Sequence, residues 1–598
     1  MRIRHIAFSF AAAAFLFASC TQNVDVLIIG GGASGTAAGL QASRMGAKTL
    51  IVEETPWLGG MLTSAGVSAI DGNYRLRGGI FGEFTDSLAS HYGGYDKLQS
   101  GWVSSILFEP HVGAEIFDAL TGKESNLSVR RETRFEEIKK LPKGWRVTFD
   151  KGPSVKCKVL IDGTELGDVA KACGVAYHIG FDPKSYTGEE MAFEEGNDII
   201  QDMTMVMTIK DFGPDADMSI ECPEGYRREE YLNCCENPLN DPAYDKGQAF
   251  WSDWMMLSYG RLPGGKMMIN WPIAGNDYYA NIIDMSREQR DSVIQKARLH
   301  ALGFLYFIQS ELGYKNLGLA TDEYPSGDGI AMIPYHRESR RIEGEHLFTL
   351  EEARERYISN AYRTGIAVGD YPVDHHHFAH PEWSKLPKMI FAPIPSFSLP
   401  AGTLVPLEVE DLIVAEKSIS VTNLINGSTR LQPVVVEIGQ AAGALAALSL
   451  RNDCKIREVG VRTLQNALLE SGAYLQPWLD LKLGDDGFKS LQKIGCTGIL
   501  RGEGRNIDWS NESWMRADEP LRWNELYLEE YYGIPYNDSS KPISAGQFAE
   551  LLSSLSGTDV TLNLPEDSHI TRLDAAIAID GILNPFAREV NFAGDLKD

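Results

Sequence analysis

The sequence predicts an α/β protein: a Rossmann-like dinucleotide-binding domain, interrupted by an inserted α+β domain and followed by a small helical C-terminal module. Three observations carry this. "VDVLIIGGGASGTAAGLQASRMGAKTLIVEE", Val24 to Glu54, sets a glycine-rich turn between an apolar strand and an alanine-rich helix. From Asp411 that character returns after a long excursion, as "DLIVAEKSIS", "VTNLINGSTR" and "LQPVVVEIGQAAGALAALSL". From about residue 480 the chain changes again, to short helical segments broken by glycine.

"VDVLII" (Val24 to Ile29) is short, apolar and β-branched, as a strand buried on both faces should be. Gly30, Gly32 and Gly35 fit G-x-G-x-x-G. The first permits a tight turn, the second lets a pyrophosphate approach the backbone, and the third lets helix pack on strand. The helix that follows offers its N-terminal N–H groups to the phosphates. "KTLIVE" is the second strand. It ends at Glu53, about 20 residues past the turn, where a carboxylate binds ribose hydroxyls and repels a 2′-phosphate. "PWLGGMLTSAGVSAI" offers a second flexible backbone approach at Gly59, Gly60 and Met61, and "LRGGIFGEF" (Leu76 to Phe84) a third. "PHVGAEIFDALTG" reads as an amphipathic helix. Next comes a meander of strands that closes on a buried strand, "CKVLIDGT". Residues 173–400, rich in aromatics, Asp and Gly, read as the inserted domain, and 401–455 as the closing part of the first. A chain that opens on a dinucleotide fingerprint and closes hundreds of residues later with strand, loop and small-residue helix has the pattern of FAD rather than NAD folds.

The 598 residues suffice for two or three domains with sizeable cores. The formal net charge of -26 disfavours nucleic acid as a partner. "MRIRHIAFSFAAAAFLFASC" has the basic start, apolar middle and small residues of a secretory signal, with Arg2 and Arg4 not adjacent, as Sec export implies. "FASC" resembles a lipoprotein signal. It implies a lipid anchor on Cys20 and an exported, periplasmic or cell-surface bacterial protein tethered to a membrane. No other stretch reads as a membrane span. None of the eight cysteines falls in a C-x-x-C, so neither a cluster nor a thiol-disulfide site is expected.

Three constellations are suited to chemistry, one of them the helix beginning near Pro433, whose positive end would aim at the flavin. "PYHRESRR" gathers His336, Arg337, Glu338, Arg340 and Arg341; arginine holds planar anions. The bland reading is a salt-bridged turn. "DYPVDHHH" places Asp370, Tyr371, Asp374, His375, His376 and His377 together, and a histidine suits removal of an alcohol proton. In an extended run His375 and His377 share one face and His376 takes the other. Trp251, Trp254, Tyr259 and Trp271 form either a sugar-stacking wall or plain core.

Together with "LGG", "IDGTELGD" and "STRLQPVVVEIGQAAG", these motifs resemble the FAD-dependent oxidoreductases of the glutathione-reductase-like superfamily. More closely, they resemble a secreted bacterial group loosely labelled xanthan lyase. The resemblance covers roughly Val24 to Leu450. It implies FAD contacts at Gly30, Gly32, Ala33, Ser34, Gly35, Glu53, Gly60, Val129, Thr164 and the loop Gly427, Ser428 to Arg430. It also shows a departure: Glu165 stands where a glycine usually approaches the cofactor. The C-terminal segment, 480–598, resembles S-layer homology units weakly, against a helical cap packed on the enzyme. The expected function is an exported FAD oxidoreductase taking hydride from a carbohydrate or other hydroxylated compound and passing electrons to an acceptor the sequence does not name. The alternatives are a surface glycan-binding lipoprotein with an inactive flavin fold, and a polysaccharide lyase, which needs no dinucleotide site.

Overall fold

The computed structural model describes residues 21–248, 250–507 and 510–597. The signal segment and Cys20 lie outside the described residues. At the centre is a five-stranded parallel sheet in the order Leu412–Val414, Val159–Asp162, Val26–Ile29, Thr49–Val52 and Leu127–Arg130. The chain runs outward from Val26–Ile29 on one side, then returns to build the other. The crevice at the carboxyl ends of Val26–Ile29 and Val159–Asp162 is therefore the switch point where α/β sheets bind ligands.

The apolar run of the first strand is explained by two cores. Val26 and Ile28 face the large one, built from the helices and much of the later chain. Leu27 and Ile29 face a second, against Trp145, Val147 and Phe149 of the meander. The meander pairs as a separate sheet, Phe135–Lys140 on Trp145–Phe149 on Val155–Cys157. Gln22–Asn23 add to its edge, and the strand read as starting at Val24 pairs in the central sheet only from Val26.

The closing helix, Gln432–Arg451, crosses the first helix, Ala33–Arg44, at close range. A Cβ at Gly439 would overlap the Ser34 carbonyl, and one at Gly443 that of Ala38. This approach is why the segment is built of Gly and Ala. The closing helix has the length and apolarity of a membrane span, which the sequence reading passed over, yet it is enclosed by protein.

Two expected boundaries and two local assignments differ. The middle stretch has its own core from Leu166 to Ile330, whereas Phe348, Ile366 and Leu399 join the core of the sheet domain. That domain also recruits Val461, Leu464 and Leu468 of the helix Val461–Glu470. "VTNLINGSTR" is not a loop but contains a helix, Asn423–Thr429, because its apolar residues Leu424 and Ile425 are needed in the core. Within "LRGGIFGEF", Gly79 starts the helix Gly79–Tyr92 and abuts Gln440 of the closing helix, so this glycine approaches protein rather than cofactor.

The C-terminal segment has a separate core from Trp478 to Ile579, with helices Phe488–Thr497, Ala545–Ser556 and Arg572–Ile582. It also carries a hairpin, Glu503–Ile507 with Ser510–Trp514, which the helical reading did not anticipate. The segment is packed on the body: Asn511 N–H donates to the Asp370 carbonyl at 2.7 Å, and Arg363 pairs with Glu530.

Candidate active site

Three carboxyl-terminal strand ends meet at the switch point. Gly30 follows the first strand with φ 91°, and a Cβ there would collide with Gly163, which follows the strand Val159–Asp162. A Cβ at Gly35 would overlap the Gly30 carbonyl oxygen. Both glycines serve the packing of turn on strand, as their spacing predicts. Gly32 differs: a Cβ there would have its nearest neighbours at 3.4 Å, Glu416 Oε2, and 3.5 Å, Glu165 Oε1. So Gly32 faces a space bounded by acidic side chains.

Those acids form a buried triad. Lys417 Nζ lies 2.6 Å from Glu165 Oε2 and 2.8 Å from Glu416 Oε1. Burial opposes the lysine charge, but the two glutamates outweigh it and hold Lys417 protonated. The other oxygen of Glu416, Oε2, accepts from Ser34 N–H at 3.1 Å and Ser34 Oγ–H at 2.6 Å. Gly32 is the N-cap of this helix and has no side chain to accept those donors, so Glu416 supplies the cap. Gly60, φ 49°, closes the same space: a Cβ there would lie 2.7 Å from Gly32 Cα and 2.7 Å from Glu165 Oε1. Met61 is wholly buried behind it.

Glu53 ends its strand as expected. Its carboxylate accepts from Gly31 N–H at 2.6 Å and Thr55 N–H at 2.8 Å. Burial outweighs these bonds and lifts its pKa to about 7. Thr164 donates through N–H and hydroxyl to Asp162 Oδ1, at 2.9 and 2.6 Å, and its hydroxyl accepts from Asp168 N–H. Val129 pairs with Ile51 in the last strand of the sheet.

The second polar cluster surrounds the histidine run. The faces alternate: His375 and His377 stack toward Phe181, with Nδ1 and Nε2 3.3 Å apart, while His376 points away. His375 also bonds the Leu424 carbonyl through Nε2 at 3.0 Å. Burial lowers His375 to about 4 and His377 well below its ordinary value. Both are core histidines. His376 sits between Asp374 Oδ2 at 2.9 Å and Asp277 Oδ2 at 3.2 Å. Burial and Arg337 pull its pKa down, but the two carboxylates outweigh them and raise it. An imidazolium so held is a poor proton acceptor, which corrects the expectation that this run supplies the base.

The arginines are engaged too. Arg337 pairs with Asp277 at 3.1 Å and donates to the Asp202 carbonyl at 2.8 Å. Arg340 pairs with Asp168 at 2.7 Å and Asp284 at 2.9 Å, tying strand end to inserted domain; it is not free to clamp a ligand. His336 is buried, and burial chiefly, then the Lys417 charge, depresses it to about 3. Gly427 packs on His375, and Ser428 Oγ donates to the Tyr371 carbonyl at 2.8 Å, so both brace the histidine run rather than line an open loop. Arg430 donates to Tyr335 Oη at 2.7 Å and to the Asp374 carbonyl at 2.8 Å.

The sequence reading missed Asp71. Its N–H donates to Gln432 Oε1, at the first turn of the closing helix, at 3.2 Å. Burial and the Asp374 charge lift its carboxyl to about 7, whereas His376 and Arg430 help hold Asp374 at about 2 against burial. Two acids with pKa values pushed apart mark a place where one can take a proton and the other stays charged. An acid inside "SAIDGNY", just past the second glycine pair, was the available signal. Lys417, in "AEKS" directly after a strand, was another.

A profile of the FAD dependent oxidoreductase family matches residues 25–468, and the chain belongs to that family. It is therefore an oxidoreductase with FAD as cofactor. A search of curated proteins found no match. Among solved structures, the chain is similar to p-nitrophenol 4-monooxygenase from Pseudomonas putida DLL-E4, at 10% identity over 75% of this chain and 84% of that one, with a TM-score of 0.30. It is similar to the OxyS anhydrotetracycline hydroxylase from Streptomyces rimosus at 11% identity, over 79% and 68%, with a TM-score of 0.31. With L-proline dehydrogenase from P. horikoshii the match covers 27% of this chain and a quarter (25%) of that one, at 18% identity and a TM-score of 0.16.

The residues present fit a dinucleotide at the glycine turn and at Glu53, an acid at the offset of a ribose-binding carboxylate. Ser34 N–H, Ser34 Oγ and Lys417 Nζ form a donor set suited to a phosphate, and Glu416 occupies it in this structure.

Proposed function

We propose that this protein is an exported, lipid-anchored FAD oxidoreductase of the glutathione-reductase-like kind. In this reading it oxidises a carbohydrate or other hydroxylated compound and passes the electrons to a separate acceptor. Residues 1–20 support export and a lipid on Cys20, as in the secreted bacterial group loosely labelled xanthan lyase. FAD, when bound, supplies the hydride acceptor.

The observation that carries the substrate class is Asp71, raised to about 7 beside an Asp374 lowered to about 2. Oxidation of an alcohol needs a group to take the hydroxyl proton, and a carboxylate poised near neutrality does so efficiently. Asp374, with His376 and Arg430 against it, holds fixed charge that orients a polar substrate. A chain of aromatic rings supports a sugar: Trp102, 40% exposed, lies 5.2 Å from Tyr259, and Tyr259 5.2 Å from the buried Trp271. Burial raises the Tyr259 hydroxyl far above its ordinary range, with the Asp71 charge adding to it. The exposed Trp102 ring at the edge of this cluster suits the apolar face of a pyranose.

The test is anaerobic single-turnover reduction of FAD-loaded protein by a panel of sugars and alcohols. Asp71→Asn should leave FAD binding intact and slow reduction by about 10²–10⁴-fold, the range for loss of a general base. An unchanged rate in Asp71→Asn would remove Asp71 from this role.

A further inference from the structure

We propose that Glu416 is an internal occupant of the phosphate seat, so that FAD loads only as this carboxylate leaves. The proposal rests on the glycine turn being the dinucleotide site. Glu416 is fully buried, and its carboxylate bridges two sources of positive potential. One oxygen takes the Ser34 N–H and hydroxyl at the start of a 12-residue helix, and the other takes Lys417 Nζ. Two phosphate oxygens set where the carboxylate oxygens lie would meet the same three donors. The carboxylate thus stands in for the ligand's anion.

The backbone carries a second, independent sign. Glu416 has φ 59°, the left-handed region that glycine enters freely and a glutamate does not. A strained residue at a strand end that also buries its charge over the turn has been placed there by its side chain's contacts. Glu165 completes the block. It shares Lys417, its Oε1 is buried without a partner, and that atom lies 3.5 Å from where a Gly32 Cβ would be. Two carboxylates on one lysine leave a net negative charge where a pyrophosphate would add two more. When Glu416 swings off Ser34, Lys417 stays as a counter-ion to the incoming phosphate. A seat open about 1–10% of the time weakens apparent affinity by about 10–100-fold.

Titration of FAD, followed by quenching of flavin fluorescence, tests this on the full chain. The proteins are wild type, Glu416→Gly, Glu416→Gln, and Gly32→Val combined with Glu416→Gly. Glu416→Gly should tighten FAD binding by about 10-fold or more. Glu416→Gln, which keeps the size and removes the charge, should shift affinity in the same direction and carries the test if the glycine variant does not fold. The double variant should lose FAD. If both Glu416 variants bind no tighter than wild type while the double variant loses FAD, the occupant proposal is overturned and the seat stands. If the double variant binds FAD as tightly as Glu416→Gly, the seat itself is wrongly assigned. FAD binding by none of the four overturns both.

Discussion

Gly32 and Gly35 sit three residues apart in one motif, and the structure assigns them opposite roles that alanine substitution separates. At Gly35 a Cβ would overlap the Gly30 carbonyl oxygen and lie 2.9 Å from the Gly30 carbonyl carbon. Both are backbone atoms of the turn that the helix is meant to touch, so neither can rotate away. Overpacking of this kind costs about 1–3 kcal/mol, and a rigid backbone neighbour puts this case at the upper end. Replacing glycine inside a helix returns about 0.8–1.0 kcal/mol, leaving a net loss of about 2 kcal/mol. At Gly32 the backbone is ordinary, φ -62°, and the nearest atoms to a Cβ are side-chain oxygens at 3.4 and 3.5 Å. Gly32→Ala should cost less than about 1 kcal/mol, the price of a poorer N-cap, and should weaken FAD binding through loss of close approach. Urea unfolding of the two variants, with FAD titration alongside, reads both effects. A Gly35→Ala protein as stable as wild type, or a Gly32→Ala protein destabilised as much as Gly35→Ala, would refute the packing argument.

Other outcomes follow from the same geometry. Lys417→Met strips the shared cation from the buried Glu416 and the half-buried Glu165 and should cost about 3–5 kcal/mol, read as a lower denaturation midpoint; a loss under 1 kcal/mol would mean the triad is already open to water. Glu53 rises from an ordinary 4.5 to about 7 on folding, so its proton stabilises the fold fully below 4.5 and that contribution is lost as pH climbs through 7. Glu53→Gln should flatten this slope in a stability–pH profile while costing about 1–3 kcal/mol, because an amide cannot accept from both Gly31 and Thr55. Flavin reduction should rise with pH through about 7, as Asp71 loses its proton, and Asp71→Asn should remove that limb; an unaltered profile points to another base. The proposed lipid on Cys20, a reading of "FASC" alone, predicts that Cys20→Ala moves the protein from the membrane fraction to the soluble one, and unchanged fractionation would count against acylation.

The sheet, its glycine turn and Glu53 were legible because each needs only local information: β-branched runs, a spacing, an acid at a set offset. The closing helix was legible by its small residues, and the structure shows why they are small. The histidine alternation followed from strand geometry alone. What the run does is not legible, because the pKa of His376 is set by burial and by Arg337, Asp374 and Asp277 together, the last of which lies 99 positions earlier in the chain. The same holds for Arg340, whose partners Asp168 and Asp284 come from two different elements. The role of Glu416 is not legible, since nothing in "AEKS" tells that the chain turns left-handed there and sets the carboxylate on Ser34. Helix Asn423–Thr429 was mistaken for a loop because its Asn, Gly, Ser and Thr residues are weak helix formers, and burial overrode propensity.

Anaerobic titration of the FAD-loaded protein with hydroxylated substrates, followed by the visible absorbance of the flavin, tests the central claim most directly. The account predicts that at least one sugar or alcohol bleaches the flavin and that Asp71→Asn, with FAD bound equally well, bleaches far more slowly. A flavin that a chemical reductant bleaches but no hydroxylated compound does would contradict it, and would leave the chain holding FAD without oxidising this class of substrate.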